Sequence, residues 1–299
     1  MTSNAVKKLG TFWILVKDTA MAWADEDPFG KSAIISYYTL FSLPSLLMIV
    51  AWIAGSIFGV DAVRGKIANK LGEYIGGEAS EAIESMIVNA SVNEGSTITV
   101  IISVSMLLFG ATGVFVRLKM AMNDIWQVES KKKVWLQTIL DRLISFGMVL
   151  VLGFLFLVSL LLTYILRIVS DYIDNFAPTI ADVAASVFSY LLPFVVITGL
   201  FGALFKLLPD INIRWKTTLL GASLTTILFL VGEFGLNYYL TQSNPASIYG
   251  GASSVVLIML WVYYTCLILF FGAEFTHQYA VYTDEKVGPS EKGQSKTKK

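Results

Sequence analysis

Histidine and cysteine each occur once in this chain of 299 residues, as His277 and Cys266, and both scarcities exclude chemistry. A lone cysteine forms no internal disulfide, so oxidative stapling plays no part in the fold, and within an apolar run Cys266 reads as a small hydrophobe. A hydrolytic metal site needs three or more converging His, Cys, Asp or Glu ligands with one position left open for water, a set that is hard to assemble here. No Gly-rich Walker loop, GxSxG elbow or HExxH sequence occurs, which argues against ATP-driven transport within this chain and against the common hydrolase chemistries. Charge is scarce as well: 15% of residues are charged and the net charge is zero. That balance removes any general argument for nucleic-acid binding.

What is abundant is apolar sequence, 55% of the residues, with a mean hydropathy of +0.67. Six apolar runs are long enough to cross about 30 Å of hydrocarbon. They cover approximately 33–58, 97–116, 140–166, 183–208, 217–240 and 253–275. A lipid-exposed backbone must satisfy its own polar groups, and these runs lack the alternation of barrel strands, so the expected fold is all-α, a polytopic membrane helical bundle. Lys and Arg concentrate on cytoplasmic segments of membrane proteins. With the N-terminus inside, 18 of the 22 basic residues fall on the cytoplasmic side, leaving Arg64, Lys66, Lys70 and Arg167 outside. The expected orientation is therefore N-in and C-in. Trp13, Trp23, Trp126, Trp135 and Trp215 fall on the same proposed side, as interfacial anchors do.

The expected domains are a cytoplasmic interfacial helix within 1–30, a six-helix transmembrane domain over 31–280, and a disordered cytoplasmic tail at 281–299. The stretch LGTFWILV is too short for a signal peptide and is followed by Lys17 and Asp18, so it is expected to stay in the mature chain. Leu9, Phe12, Trp13, Val16, Ala20 and Trp23 recur at helical spacing and predict a surface-lying helix over 5–24, ended by DEDP. The outer segment at about 60–96 is too long for a structureless loop. Val63, Ile67, Leu71 and Tyr74, then Ala79, Ile83, Met86 and Ala90, predict two amphipathic helices capping the bundle, divided at Gly76–Gly77.

Candidate site residues follow from what a membrane interior tolerates. Glu233 lies inside the fifth run with Asn237 one turn away, and a carboxylate at that depth needs a partner, a proton or a cavity. The pair fits proton or headgroup binding, and it fits an interhelical hydrogen bond equally. Pro44 and Pro193 sit near the middle of spans 1 and 4, which would suit an inverted repeat with broken helices, although proline is common in membrane helices. Tyr249 and Gly250 lie in SNPASIYGGASS, whose small residues and helix N-terminal amides favour anions or simply form an entry turn. Glu274 and His277 stand one helical turn apart in FFGAEFTHQY, where an interfacial helix exit explains them better than a metal site. The KKK run at 131–133 suits contact with anionic lipid.

Four ordered motifs, SAIISYYTLFSLPSLL, MAMNDIWQV, KLLPDINIRWKTTLLGA and YGGASSVVLIMLWVYYTCLILFFGAEF, resemble the YihY/BrkB family of bacterial inner-membrane proteins over about residues 20–280. The matching positions are Tyr37, Pro44, Asn123, Trp126, Pro209, Trp215, Gly221, Tyr249, Gly250, Trp261, Gly272 and Glu274. Members of that family have carried the label ribonuclease BN, which the poverty of ligands here contradicts. Others are described as virulence factors or implicated in moving envelope lipids. The resemblance implies an inner-membrane protein with no established catalytic residues and no cofactor or metal.

The leading expectation is a non-enzymatic transporter or flippase-like handler of an amphipathic lipid. Its substrate path would use Glu233, Asn237, Tyr37, Tyr249 and Gly250, with structural or gating roles for Pro44, Pro193, Asn123, Trp126, Trp261 and Glu274. The competing reading is a scaffold for envelope or virulence-related partners, and a membrane ribonuclease is a remote third. Membrane lipids, including anionic ones, are the expected partners, without nucleic acid. GSIFG at 55–59 permits the close helix packing that a homo-oligomer would use.

Overall fold

A computed structural model describes residues 2–42, 97–130, 178–243, 253–290 and 293–295, and these are mostly helical. Helix α1 (Thr2–Asp25) is followed by a helical segment at 28–42, α2 (Thr97–Ile125) and strand β1 (Val128–Ser130). Then come α3 (Pro178–Leu207), β2 (Ile211–Asn212), α4 (Trp215–Ser243), α5 (Ser253–Tyr282), β3 (Gly288–Pro289) and β4 (Gly293–Ser295). The expected spans at 97–116, 183–208, 217–240 and 253–275 fall on α2, α3, α4 and α5. Helices α2 and α5 run well past the hydropathy limits, because main-chain hydrogen bonding continues into polar sequence where hydropathy falls at Arg117 or Glu274. The span at 140–166, most of that at 33–58, the KKK run and the outer cap at 60–96 lie outside the described residues.

Among the described residues two stretches are long and apolar enough to cross a membrane, Trp215–Leu236 and Val255–Tyr282. Along α4 the side chains of Ile227, Val231, Phe234 and Tyr238 recur every three or four residues, with Leu220 two turns before them, and all are exposed. A continuous apolar face of this kind is what hydrocarbon, not water, accommodates. Pro193 lies inside α3 and the helix continues through it, as membrane helices allow.

The chain divides into two compact units, one formed by residues 1–23, 122–228 and 271–299, the other by 24–121 and 229–270. In the first unit α4 and α5 pack antiparallel through a reciprocal pair. A side chain at Gly221 would collide with Thr276, and one at Gly272 would collide with Thr225. Each threonine hydroxyl donates to the glycine carbonyl four residues earlier in its own helix, Thr225 to Gly221 and Thr276 to Gly272, both at 2.7 Å. The hydroxyls are thereby satisfied where the backbones approach most closely, the arrangement small residues allow in membrane helices. Helix α3 joins through buried Thr198, whose hydroxyl donates to that of Thr226 at 3.0 Å. Leu15 and Thr19 of α1 are buried and Trp23 meets the edge of Phe271 at 6.0 Å, while Trp13 and Ala20 of the expected apolar face are exposed.

In the second unit the segment 28–42 starts at a capped end. Asp27 turns the chain with φ 49° and accepts the Gly30 N–H at 3.1 Å, and Pro28 takes the first helical position, where its missing N–H costs nothing. DEDP does end α1, but residues 28–30, expected with the interfacial helix, already belong to the next one. Gly110 and Gly113 of α2 leave room for Ser42 and Tyr38, and Gly232 of α4 for Tyr264.

The tail differs most from expectation. Instead of disorder throughout 281–299, helix α5 extends to Tyr282, β3 pairs antiparallel with β2, and β4 pairs antiparallel with β1. The registers are Ile211 with Pro289 and Glu129 with Gln294. The cause is main-chain pairing, to which the polar composition of the tail gives no clue.

Candidate functional site

The third sequence motif, most of the second and the end of the fourth lie in the first unit. Helix α2 ends at Ile125, the φ of 51° at Gln127 reverses the chain into β1, and this leaves Asn123 on the last turn of the helix facing the α3–α4 connection. Asn123 uses both ends of its amide on one residue: Oδ1 accepts the Asp210 N–H at 2.8 Å, and Nδ2 donates to Asp210 Oδ2 at 3.1 Å. Ser130 donates to the same carboxylate oxygen. Asn123 and Asp210 are 5% and 4% exposed, and the buried carboxylate takes hydrogen bonds from the Asn123 and Ser130 side chains. The Asp210 carbonyl accepts the Ser290 N–H at 2.9 Å, which ties the tail to the same point, and Gly293 lies close enough to that carbonyl to exclude a side chain.

Beside this cluster, Glu274 answers the question its spacing raises. Glu274 is only 3% exposed, and α5 continues for two more turns beyond it. The carboxylate accepts the Gln278 amide at 2.8 Å and faces His277 Nδ1 at 3.4 Å, so its partners lie one turn along its own helix. The His277 ring lies against Trp126, with centroids 4.9 Å apart. Among the described residues no group of three or more His, Cys, Asp or Glu is placed to hold a metal.

The end of α5 then organises the start of α4. Asp284 takes the left-handed conformation at φ 50°, the Glu285 N–H donates to Ala280 at 2.9 Å, and the Asp284 N–H donates to Val281 at 3.1 Å, a Schellman closure. That turn points the Glu285 carboxylate at the α4 N-terminus, where it accepts the Arg214 N–H at 2.7 Å and the Thr217 hydroxyl. An anion at a helix N-terminus is stabilised there by unpaired amides and the helix dipole. Asp210, Ser130 and Glu285 escape sequence reading because their partners lie 68 to 87 residues away. A partial signal existed for Asp210, which stands inside the third motif.

In the second unit, Glu233 is half-buried in α4, next to the exposed Phe234, and makes no polar contact to another described side chain. Asn237 is on the same helix, and Tyr37 is exposed with its ring against Tyr38 and Phe41. Trp261 packs edge-on against Phe229 at 5.4 Å, and its buried Nε1 has no hydrogen-bond partner among the described residues. Pro44, Tyr249 and Gly250 lie outside the described residues.

Residues 22–297 match the profile of the family described as virulence factor BrkB. A UPF0761 membrane protein of Tolumonas auensis is 35% identical over 160 residues, covering 52% of this chain and 49% of that relative. A UPF0761 membrane protein of Pseudoalteromonas atlantica is 26% identical over 84% of this chain and 81% of its own length. One from Mannheimia succiniciproducens is 23% identical over 81% of each. No solved structure matches the chain significantly.

Proposed function

Since this chain belongs to the virulence factor BrkB family of membrane proteins, we propose that it is a non-enzymatic, flippase-like handler of an envelope lipid or another amphipathic substrate. On this reading the chain spans the bacterial inner membrane six times with both termini in the cytoplasm, an arrangement supported by the distribution of Lys and Arg. The observation that carries the proposal is Glu233. A carboxylate at that depth costs a few kcal/mol unless it is protonated, hydrated or paired, and it stands on a helix with the apolar face of Val231, Phe234 and Tyr238. An apolar track with one polar handle suits a substrate with acyl chains and a headgroup. Asn237, Tyr37, Tyr249 and Gly250 are proposed as further polar points on the path.

The polar cluster of the first unit is assigned a positioning role, because the carboxylates of Asp210, Glu274 and Glu285 all engage donors of the protein itself. The test is lipid analysis of both membrane leaflets after depletion of the protein. The expected result is accumulation of one lipid class in one leaflet, reversed by the wild-type chain and not by Glu233→Gln. Unchanged leaflet composition on depletion would rule the reading out.

A further inference from the structure

The connection between α3 and α4 brings cations and apolar side chains together on the surface of the first unit. Arg214 and Lys216 are exposed, and among the described residues neither side chain takes part in an ion pair or hydrogen bond. Beside them Trp215 is 54% exposed, and Leu207, Leu219 and Leu220 are exposed as well. The third cation, Lys206, is engaged: its ammonium meets the Ile213 carbonyl and lies 5.8 Å from the centre of the Trp215 ring, which fixes that ring against the end of α3. The α4 amides are not the vacancy here, since Glu285 already serves the Arg214 N–H and the Thr217 hydroxyl.

We infer that this patch holds one anionic phospholipid, its phosphate between the Arg214 and Lys216 side chains and its acyl chains along Trp215, Leu219 and Leu220. Two chemistries adjoin at the patch, and this occupant satisfies both. A soluble anion would leave the leucines and the indole in water, and a zwitterionic lipid would set its own ammonium against two cations. Arg offers a fork matched to phosphate oxygens, Lys adds a second charge, and tryptophan is at home at headgroup depth. The inference rests on the chain being a membrane protein and not on transport. The lipid is a bound partner of the cytoplasmic face, distinct from a substrate at Glu233.

The test is native mass spectrometry of the purified full chain with phosphatidylglycerol and phosphatidylcholine at equal concentrations. Wild type is expected to retain phosphatidylglycerol in preference. Arg214→Ala with Lys216→Ala should weaken phosphatidylglycerol binding about thirtyfold and leave phosphatidylcholine unchanged, as expected for two cations acting near a membrane surface. Lys7→Ala with Lys17→Ala, which removes equal charge elsewhere, should bind like wild type. The swap Arg214→Lys with Lys216→Arg keeps both charges and should retain most of the preference, which covers the case in which the double alanine variant fails to fold. Undiminished phosphatidylglycerol binding in the double alanine variant, or an equal loss in the Lys7 and Lys17 control, would overturn the inference. The readout is bound mass, so either outcome leaves the transport reading standing.

Discussion

The two units of this protein handle polar groups in opposite ways. In the first, carboxylates are met by donors of the protein itself, across 87 residues for Asn123 with Asp210 and 71 for the Arg214 N–H with Glu285, and within one helical turn for Gln278 with Glu274. In the second, Glu233 is left without a polar partner among the described side chains, while glycines seat larger side chains as they do in the first, Gly113 under Tyr38 and Gly232 under Tyr264. A satisfied cluster holds connections in place, whereas a carboxylate without a partner costs stability and is kept for use. On the proposed reading, the first unit is architecture and the second handles the substrate.

The sharpest way to break that contrast is to attack the glycine and threonine pair. Gly272→Leu drives a side chain into Thr225, and overpacking of this kind costs about 1–3 kcal/mol or more, enough to lose the folded protein from detergent extracts. Size-exclusion chromatography would show aggregate where wild type runs as one species. Next in size is Asn123→Ala, which strips the buried Asp210 carboxylate of a donor and its N–H of an acceptor, for a loss of about 1–3 kcal/mol in thermal unfolding. Adding Asp210→Ala should restore part of that loss, because the buried carboxylate that lost the Asn123 donor goes with it. Smaller still is Glu285→Ala, a lost cap worth about 1 kcal/mol, with faster hydrogen exchange confined to the first turn of α4. Truncation after Lys286 removes β3 and β4 and should speed exchange at Ile211 to Asn212 and at Val128 to Ser130.

The helices were legible in the sequence because hydrocarbon imposes length and apolarity on each run by itself. Four of the six expected spans lie within observed helices for this reason, and DEDP marks the end of α1 through the proline and the capping aspartate. Asn123, Trp126 and Glu274 were legible as motif residues, but their roles were not. Asp210 is an acidic residue between Pro209 and Ile211 until Asn123, 87 positions earlier, is seen to grip it. The tail was misread for a related reason: β3 and β4 are held by backbone groups of β1 and β2, and a main-chain partner leaves no mark in composition.

The central claim, that Glu233 works while the Asn123 cluster holds, comes down to one paired measurement on Glu233→Gln. Its thermal unfolding midpoint and its movement of a fluorescent phospholipid analogue between leaflets of proteoliposomes are compared with wild type. The account predicts a stability change within about 0.5 kcal/mol, as for a position away from packed or paired groups, together with loss of lipid movement. Lipid movement at the wild-type rate in a folded Glu233→Gln protein would contradict it.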